Sequence, residues 1–547
     1  MDLQKNVLII LLLVVSFILW QEWQKDNCIL DFSTKKNIEL QNNVMKDMND
    51  RSNFTKNMIS KFVTVKTDVL SININMLGGD IEDAYLLTYK EKLDSHKPIH
   101  FLKNSSNFVY KVQSGLIGKH GPDNIFNKTR PLYFSEKTYY MLKNCDNEIH
   151  VPLIYINYDG VVYTKMFILY RNSFLIKICY FINNINDYPL KLIFFGQIKQ
   201  SISLPEYYND VYKNSFSFNT YRGIAYSAYS NKYQKYTFDD IKHDNLRILT
   251  HDGWIAMLEK YFLTALIPHT FSENIFYTKY LSNSNQAIAG FKSSEINVLP
   301  KSTYIFESIL WIGPEVQEVM KNVAPYLDLT IDYGWLWFIS QPLFKLLKFI
   351  YGYVGNWGFS IIIITFILRG VMYPFTKMQY VSMAKMRILQ PKLSKIRERF
   401  DDRQRQSQEI ISLYKKEKIN PLSSFLPLLI QMPIFLGLYY MLSSSIELRH
   451  ANFIFWIHDL SDKDSYYILP ILMGFTMFLI QKLFPSTSYV DPIQKKIISF
   501  FPLVFTLFFL WFPSGLVLYY TVSNFVTIIQ QKFIYKELKK RGLYINR

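Results

Sequence analysis

Residues 360–375 have the sequence SIIIITFILRGVMYPF, an apolar run interrupted by a single charge, Arg369. The run approaches the length that crosses a bilayer as a helix. At 1.5 Å per residue, Arg369 lies about 12 Å before Lys377, the next charge along the chain, so it falls inside the apolar band. An arginine there costs about 2.5–3.5 kcal/mol unless water or a partner compensates. The run therefore predicts a membrane helix with an intramembrane cation, or an arginine that snorkels to the interface.

Other apolar stretches extend this pattern in both directions. Four of them follow, each close to spanning length, at 425–442, 467–484, 497–511 and 516–533. An apolar run at 7–20 precedes them, and no small-residue cleavage site follows it. We predict that 1–23 is an uncleaved N-terminal membrane anchor. The polar residues 24–58 are predicted to be a flexible linker.

The charged residues give the predicted spans an orientation. The chain carries 61 Lys and Arg and 44 Asp and Glu, which gives a formal charge of +17. This excess of positive charge favours a nucleic acid, the ribosome or anionic lipid as a partner. Twelve Lys or Arg and five Asp or Glu lie in 375–422, and 534–547 is also basic. The positive-inside rule places both segments in the cytoplasm. Counting back, six spans put the N-terminus inside and residues 59–330 outside, and the short loop 443–466, with four acidic residues, also lies outside.

Residues 59–330 have a different pattern, in which short apolar and polar residues alternate. The alternation is typical of strands and is interrupted by turn residues such as Gly78 and Gly79. The clearest runs are 69–76, 151–156, 161–170, 174–182, 190–195, 287–291 and 304–312. Because no regular helices separate these runs, the segment predicts a periplasmic β-sandwich domain.

Residues 331–353 are predicted to contain an amphipathic helix that lies along the membrane surface. Its apolar stripe consists of Leu343, Leu346, Leu347 and Ile350, and its polar stripe of Gln341, Lys345 and Lys348. The alternative is an ordinary amphipathic helix packed on the sandwich. The adjoining span and the flanking tryptophans favour the interfacial position.

Polar residues form stripes on three of the predicted spans. The stripes are Thr365, Arg369 and Tyr373; Ser424, Pro427 and Gln431; and Tyr520, Asn524, Thr527 and Gln531, with Ser523 and Gln530 beside the last. Hydrogen bonds between membrane helices are one explanation for any single stripe. Three stripes, together with an arginine and no carboxylate at membrane depth, favour a hydrophilic, positively charged cavity inside the bundle.

The basic segment 375–422 also has helical periodicity. Apolar residues recur at heptad spacing at Met386, Leu389, Leu393, Ile396 and Phe400, and again at Ile410, Leu413 and Tyr414. Asp401 with Gln404 approximates a capping box that starts a second helix. The segment therefore predicts a cytoplasmic helical hairpin. This hairpin either binds a partner or is a solvated charged element with no partner.

Several function classes are excluded by what the sequence lacks. It has no GxxxxGK[ST], HExxH or GxSxG motif and no Cys/His cluster, so we expect no enzyme, no cofactor and no metal site. Three cysteines exclude a disulfide scaffold, and whether Cys145 pairs with Cys179 is left open.

Five segments resemble the YidC/Oxa/Alb insertase family, in the Gram-negative form that has a large periplasmic domain. They are GNWGFSIIIITFILRG (355–370), MAKMRILQPKL (383–393), NPLSSFLPLLIQMPIFLGLYYML (420–442), LPILMGFTMFLIQK (469–482) and WFPSGLVLYYTVSN (511–524). The resemblance runs nearly end to end, except in the linker 24–58.

This resemblance implies a five-helix membrane core, residues 354–547, with a groove that opens to the cytoplasm and to lipid. Arg369 matches the family's groove arginine, and Thr365 and Tyr520 match positions that face the entering substrate. Gln431 and Asn524 join the candidate groove from periodicity alone. The implied partners are nascent membrane proteins, the Sec translocon, the ribosome and membrane lipids, without direct DNA binding.

The sequence thus predicts an α-helical polytopic protein of the bacterial inner membrane that inserts nascent membrane proteins. A small-molecule channel or transporter is the alternative, although such proteins usually show paired half-repeats or intramembrane acids. A second alternative places a sugar-binding or lipid-processing activity in the sandwich.

Overall fold

A computed structural model describes residues 61–93, 95–124, 130–204, 221–268, 273–399, 403–417, 426–483 and 492–540. The predicted anchor 1–23 and linker 24–58 lie outside these ranges. Within them, a β-rich part extends to residue 314 and a helical part follows it.

The β-rich part is a sandwich of two sheets, as predicted. Its strands are β1 Phe62–Lys66, β2 Leu70–Asn75, β3 Asp80–Lys90, β4 Pro98–Asn104, β5 Val109–Ile117, β6 Tyr139–Met141, β7 Glu148–Ile156, β8 Val162–Tyr170, β9 Leu175–Asn184, β10 Leu190–Ser201, β11 Gly223–Ala228, β12 Asn231–Thr237, β13 Arg247–Thr250, β14 Gly253–Leu258, β15 Phe262–Pro268, β16 Asn274–Leu281, β17 Gln286–Ser293, β18 Ile296–Val298 and β19 Ser302–Pro314.

One sheet has the strand order β13-β16-β17-β10-β5-β4-β3-β2-β1-β6, with β18 paired to β10. The other has the order β12-β11-β14-β15-β19-β9-β8-β7. Apart from the parallel pair β1 and β6, the register is antiparallel. Alternation explains the layering, because Leu70, Ile72 and Ile74 of β2 are fully buried while the residues between them are partly exposed. The turn after β2 requires positive φ at Gly78 (81°) and Gly79 (62°), which glycine adopts without strain.

The helical part begins with short connections and continues as long helices. The α-helices of the described chain are α1 Phe238–His243 and α2 Gln317–Val323 within or next to the sandwich, then α3 Trp337–Val354, α4 Trp357–Arg399, α5 Arg403–Lys416, α6 Leu426–Ser444, α7 Ile468–Leu483, α8 Pro492–Phe509 and α9 Ser514–Lys540. Short 3-10 turns occupy Ser282–Ser284, Leu327–Thr330, Gly334–Leu336 and Ile446–Leu448. Each of the five apolar stretches from 359 onward falls in one helix.

Helix α3 has the predicted amphipathic faces. Leu343, Leu347 and Ile350 are buried, and the helix packs against α4 and α6. Ser340 donates its hydroxyl hydrogen to the carbonyl of Gly437 on α6 at 2.9 Å. Large side chains on the other side stay exposed, namely Trp335, Trp337, Phe338, Phe349 and Tyr353. The helix therefore packs on α4 and α6 of the helical core, while its position along a membrane surface stays a prediction.

Helix α4 is longer than the sequence analysis expected. The predicted span ended near residue 374 and a separate hairpin arm followed, but α4 runs without interruption for 43 residues through Pro374 and Pro391. Lys392 on α4 and Glu417, just after α5, form an ion pair of 2.8 Å, which joins the two helices of the expected hairpin. The expected cap, Asp401, lies outside the described ranges.

The sandwich and the helices are joined through the segment between β19 and α3. The indole N–H of Trp254 donates to the carbonyl of Pro325 at 2.9 Å. Lys235 and Asp332 form an ion pair of 2.5 Å, and the Asp332 carbonyl accepts from the hydroxyl of Ser444 on α6. A buried apolar cluster runs continuously from β14 and β15 through this segment to α6 and α9. The two parts thus share one core at their junction.

One buried carboxyl group belongs to this junction. Glu315 is 5% exposed, and burial together with the charge of Asp332 raises its pKa well above the usual range, although Lys235 opposes the shift. Tyr233 lies close to both carboxyl groups, and its buried hydroxyl has no hydrogen-bond partner within the described ranges. The two sandwich cysteines are not bonded to each other, since Cys145 is exposed and Cys179 is buried, and both are free.

The helices present apolar side chains outward. Among the described residues, one helical segment, Trp357–Met386, is long and apolar enough to cross a membrane, and Ile468–Leu483 and Ser499–Phe509 are apolar but shorter. Exposed large side chains include Phe366, Val371, Phe475, Phe478, Phe500, Leu503, Val504, Phe525, Ile529 and Phe533. Apolar surface of this extent needs a hydrocarbon environment. The predicted count of six spans is not confirmed by these helices alone.

Candidate functional site

The candidate site is built around Arg369, on the polar face of α4. Its Nε donates to the hydroxyl of Ser523 on α9 at 2.6 Å. Arg369 is half-buried, whereas Ser523 is fully buried. Within the described part of the chain, no carboxylate forms an ion pair with Arg369. The guanidinium charge is therefore held by a neutral hydroxyl.

A chain of polar side chains continues from Ser523 to α6. Tyr519, one turn before Ser523 on α9, is 1% exposed and is hydrogen-bonded to Ser523. Gln431 on α6 donates its amide N–H to the Tyr519 hydroxyl at 3.3 Å. The structure thus brings two predicted site residues, Arg369 and Gln431, into one network that crosses three helices.

Tyr520 lies beside this network and has mostly aromatic neighbours. Its ring centroid is 5.9 Å from that of Phe435 on α6 and 5.5 Å from that of Phe509 on α8. The side chain is half-buried. Tyr520 therefore packs among aromatic rings next to Tyr519 in the chain, and its contact with substrate stays a prediction.

Thr365 and Asn524 have other partners. Thr365 is fully buried, and its hydroxyl donates to the carbonyl of Ile361 in its own helix at 2.6 Å. The amide of Asn524 donates to the hydroxyl of Thr476 on α7 at 3.0 Å. Their contact with substrate stays a prediction. For Asn524, the structure shows the helix-to-helix hydrogen bond that was the alternative explanation of its stripe.

The C-terminal half of α9 makes further contacts with α4. The amide of Gln530 donates to the backbone carbonyl of Arg369 at 3.0 Å, and the amide of Gln531 contacts the hydroxyl of Tyr380. Lys377 and Glu537 form an ion pair of 2.7 Å beyond them. Helix α9 is thus bound to α4 at Arg369 and over the following three turns.

Tyr519 was missed by the sequence analysis. The stripe chosen there began at Tyr520, and Ser523 and Gln530 were placed at its edge. Tyr519, Ser523 and Gln530 stand at i, i+4 and i+11, which is itself a helical face. This spacing is the signal that would have found Tyr519, but a tyrosine inside an apolar run does not stand out.

The fold and the site together define a class: a helical membrane protein that carries a large β-sandwich and has, in its helical core, a cation that pairs with no described carboxylate. In the described ranges, no group of three or more His, Cys, Asp or Glu side chains is placed to hold a metal ion. What the arrangement offers is a positive charge and hydrogen-bonding groups inside an apolar bundle.

Comparisons with known proteins identify the family. The family model described as 60Kd inner membrane protein matches residues 349–541, and that of the YidC periplasmic domain matches residues 62–346. Membrane protein insertase YidC of Buchnera aphidicola subsp. Acyrthosiphon pisum (strain 5A) is 53% identical over 542 residues, 99% of this chain and 100% of the relative. The protein of the same name from strain Tuc7 is equally similar, with 53% identity over 542 residues.

A solved structure, that of an active YidC insertase with its first transmembrane domain resolved, is 18% identical with a TM-score of 0.38, and the match covers 86% of this chain and 92% of that one. The chain belongs to the YidC family of membrane protein insertases. It is accordingly an inner-membrane protein whose sandwich is a periplasmic domain. Family membership confirms the predicted insertase function over the channel and sandwich alternatives, and with it the prediction that the chain is not an enzyme.

Proposed function

We propose that this insertase works through Arg369, which attracts acidic groups in the hydrophilic region of a nascent membrane protein and draws that region into the helical core. The chain is a membrane protein insertase, and nascent membrane proteins are its substrates. The step proposed beyond family membership is the groove mechanism. It uses charge and hydration and requires no energy cofactor.

This proposal rests on the hydrogen-bond partners of the Arg369 guanidinium group. Arg369 uses Nε on Ser523, and its two terminal nitrogens have no hydrogen-bond partner among the described residues. A cation at this depth costs about 2.5–3.5 kcal/mol, and a carboxylate would ordinarily offset that cost. Because no described carboxylate pairs with it, an acidic group arriving from outside the chain gains the full attraction.

The second step of insertion is the movement of the substrate's apolar segment into lipid, and the free energy of partitioning into hydrocarbon favours it. Once the hydrophilic region has entered, the apolar segment of the substrate leaves along α6 and α9 into lipid. The outer sides of these helices carry exposed apolar residues, among them Met432, Phe525 and Ile529. Burying apolar surface yields about 25 cal/mol per Å², so a full transmembrane segment provides ample free energy.

The wider topology is part of the same proposal. Six spans place both termini and the α4/α5 hairpin in the cytoplasm, where the basic hairpin receives the substrate from the ribosome. The Sec translocon and membrane lipids are the other expected partners. The ion pairs of Lys377 with Glu537 and of Lys392 with Glu417 support a hairpin held in place at the cytoplasmic end of the core.

The test uses two substrates that differ only in the charge of their translocated tails, one acidic and one neutral, with purified protein in vesicles. Arg369→Ala should lower insertion of the acidic-tail substrate about tenfold and leave the neutral one nearly unchanged. Arg369→Lys should retain much of the activity, because charge and not bidentate geometry is required. Equal loss for both substrates, or no loss, contradicts the proposal.

A further inference from the structure

We propose that Ser523 is a positioning residue for insertion: its hydroxyl holds Arg369 by Nε and leaves the terminal guanidinium nitrogens available to acidic groups of the substrate. The inference rests on the function proposed above and deepens it, because it assigns the residue that orients the charge. Its basis is a single short contact and the network behind it.

The contact between Arg369 and Ser523 uses one particular N–H group of the guanidinium. A guanidinium has five N–H groups, one on Nε and four on the terminal nitrogens. The Nε hydrogen is directed to the Ser523 hydroxyl at 2.6 Å, and the four terminal hydrogens have no partner in the described part of the chain. An acceptor at Nε fixes the guanidinium plane without occupying the edge that carboxylates bind bidentately.

Ser523 is itself held in place. It is fully buried, and it is hydrogen-bonded to Tyr519, which is 1% exposed and accepts from Gln431 on α6. A serine hydroxyl has one donor and two acceptor sites, so it can accept from Arg369 and still donate to Tyr519. Through Ser523, the position of the Arg369 charge on α4 therefore depends on the positions of α6 and α9.

The backbone of α4 needs such support at this point. Pro374 has no N–H, so the carbonyl of Gly370 lacks its usual partner within the helix. Gly370 also has open space around its Cα, so no side chain packs there to stiffen α4. Gln530 of α9 donates to the Arg369 carbonyl at 3.0 Å. Helix α9 thus holds both the side chain and the backbone of Arg369, next to the Gly370 carbonyl that has no partner within the helix.

The experiment measures insertion of the same acidic-tail and neutral-tail substrates into vesicles, per mole of folded full-length protein. Ser523→Ala should lower insertion of the acidic-tail substrate about threefold and leave the neutral-tail substrate unchanged. Ser523→Thr, which keeps the hydroxyl, should insert the acidic-tail substrate as well as the parent protein does. Tyr519→Phe should lower insertion of the acidic-tail substrate by less than Ser523→Ala and should also leave the neutral-tail substrate unchanged. Thr521→Val is the matched control, because among the described residues the buried Thr521 hydroxyl donates to the carbonyl of Val517 within α9 itself.

A double-mutant cycle separates positioning from structural support. In the Arg369→Ala background, Ser523→Ala should have no further effect. Loss of the neutral-tail substrate, or a further threefold loss in that background, would overturn the inference and make Ser523 a structural residue. If Arg369→Ala itself does not change charge selectivity, the proposed function fails first and this inference falls with it.

Discussion

In the β-sandwich, the half-buried Arg130 and the buried Lys165 lie among carboxylates and carbonyls, whereas in the helical core Arg369 lies beside a serine. Arg130 contacts Asp80 at 2.5 Å and Asp123 at 2.8 Å. Lys165, fully buried, donates to the carbonyls of Gly78, Gly79 and Ser114 at 2.7–3.2 Å.

The two regions differ in how the charge of their cations is compensated. In the sandwich network, Arg130 is paired with two carboxylates and the Lys165 amine is bonded to three carbonyls, so each has its partners within the fold. Removing one member leaves the others unpaired in a dry interior. Among the described residues, Arg369 has unused N–H donors on its terminal nitrogens and no carboxylate partner.

The largest effect is expected from Arg130→Met. This change leaves Asp80 and Asp123, with side chains 5% and 3% exposed, without their cation and should cost about 3–5 kcal/mol of sandwich stability. Hydrogen exchange of β3 and β5 peptides in the full-length protein measures it. Lys191→Met, which breaks a half-exposed ion pair with Glu295, is the control and should cost at most about 1 kcal/mol. Similar losses in the two variants would contradict the comparison.

A smaller effect is expected from pH. Burial lowers the pKa of Lys165 to about 7 from its ordinary 10.5. Between these values the unfolded chain binds more protons than the folded one, so stability rises with pH, by about 1.4 kcal/mol from pH 6 to pH 8. Hydrogen exchange of β8 peptides, corrected for the intrinsic rate, follows this rise. Lys165→Met should abolish the rise. If that variant shows the same pH dependence as the parent, the rise comes from another group.

The smallest effect on stability is expected from Arg369→Met. Among the described residues, the Arg369 side chain makes one hydrogen bond, and the methionine variant avoids the cost of keeping a charge among apolar helices. We therefore expect the stability of α4 and α9 to stay within about 1 kcal/mol of the parent or to increase, by thermal unfolding in detergent and by hydrogen exchange. A loss as large as that of Arg130→Met would show that Arg369 is a structural charge.

Local periodicity predicted the elements well, for a physical reason. A strand or helix is recognised from which residues alternate or recur within about a dozen positions, and all of that lies in the sequence. The predicted strand 161–170 is observed at Val162–Tyr170, and the apolar stretch 467–484 contains the helix Ile468–Leu483. The predicted strand 190–195 stopped too early, since alternation continues through Gly196 to Ser201 in the paired strand.

Element ends and side-chain partners were harder to predict. Pro374 and a rise in charge suggested that the span ends near residue 374, yet α4 continues because its next turns pack against α9 through Ala384, Ile534 and Leu538. Tertiary packing here outweighs the local preference of proline to end a helix. The same packing explains why the hairpin arm and the membrane span are one helix.

The sequence alone determined that the chain has a β-sandwich, a set of apolar helices and one cation, Arg369, within an apolar helix without a carboxylate in the same run. Only the tertiary structure decided what that cation contacts. Ser523 is 154 residues away in the chain, as Asp80 is 50 residues from Arg130. Side chains this distant meet because helices and strands pack through apolar faces, and polar partners follow from that packing. Hence a lone arginine was visible in the sequence, but whether it was paired with a carboxylate or held by a hydroxyl was not.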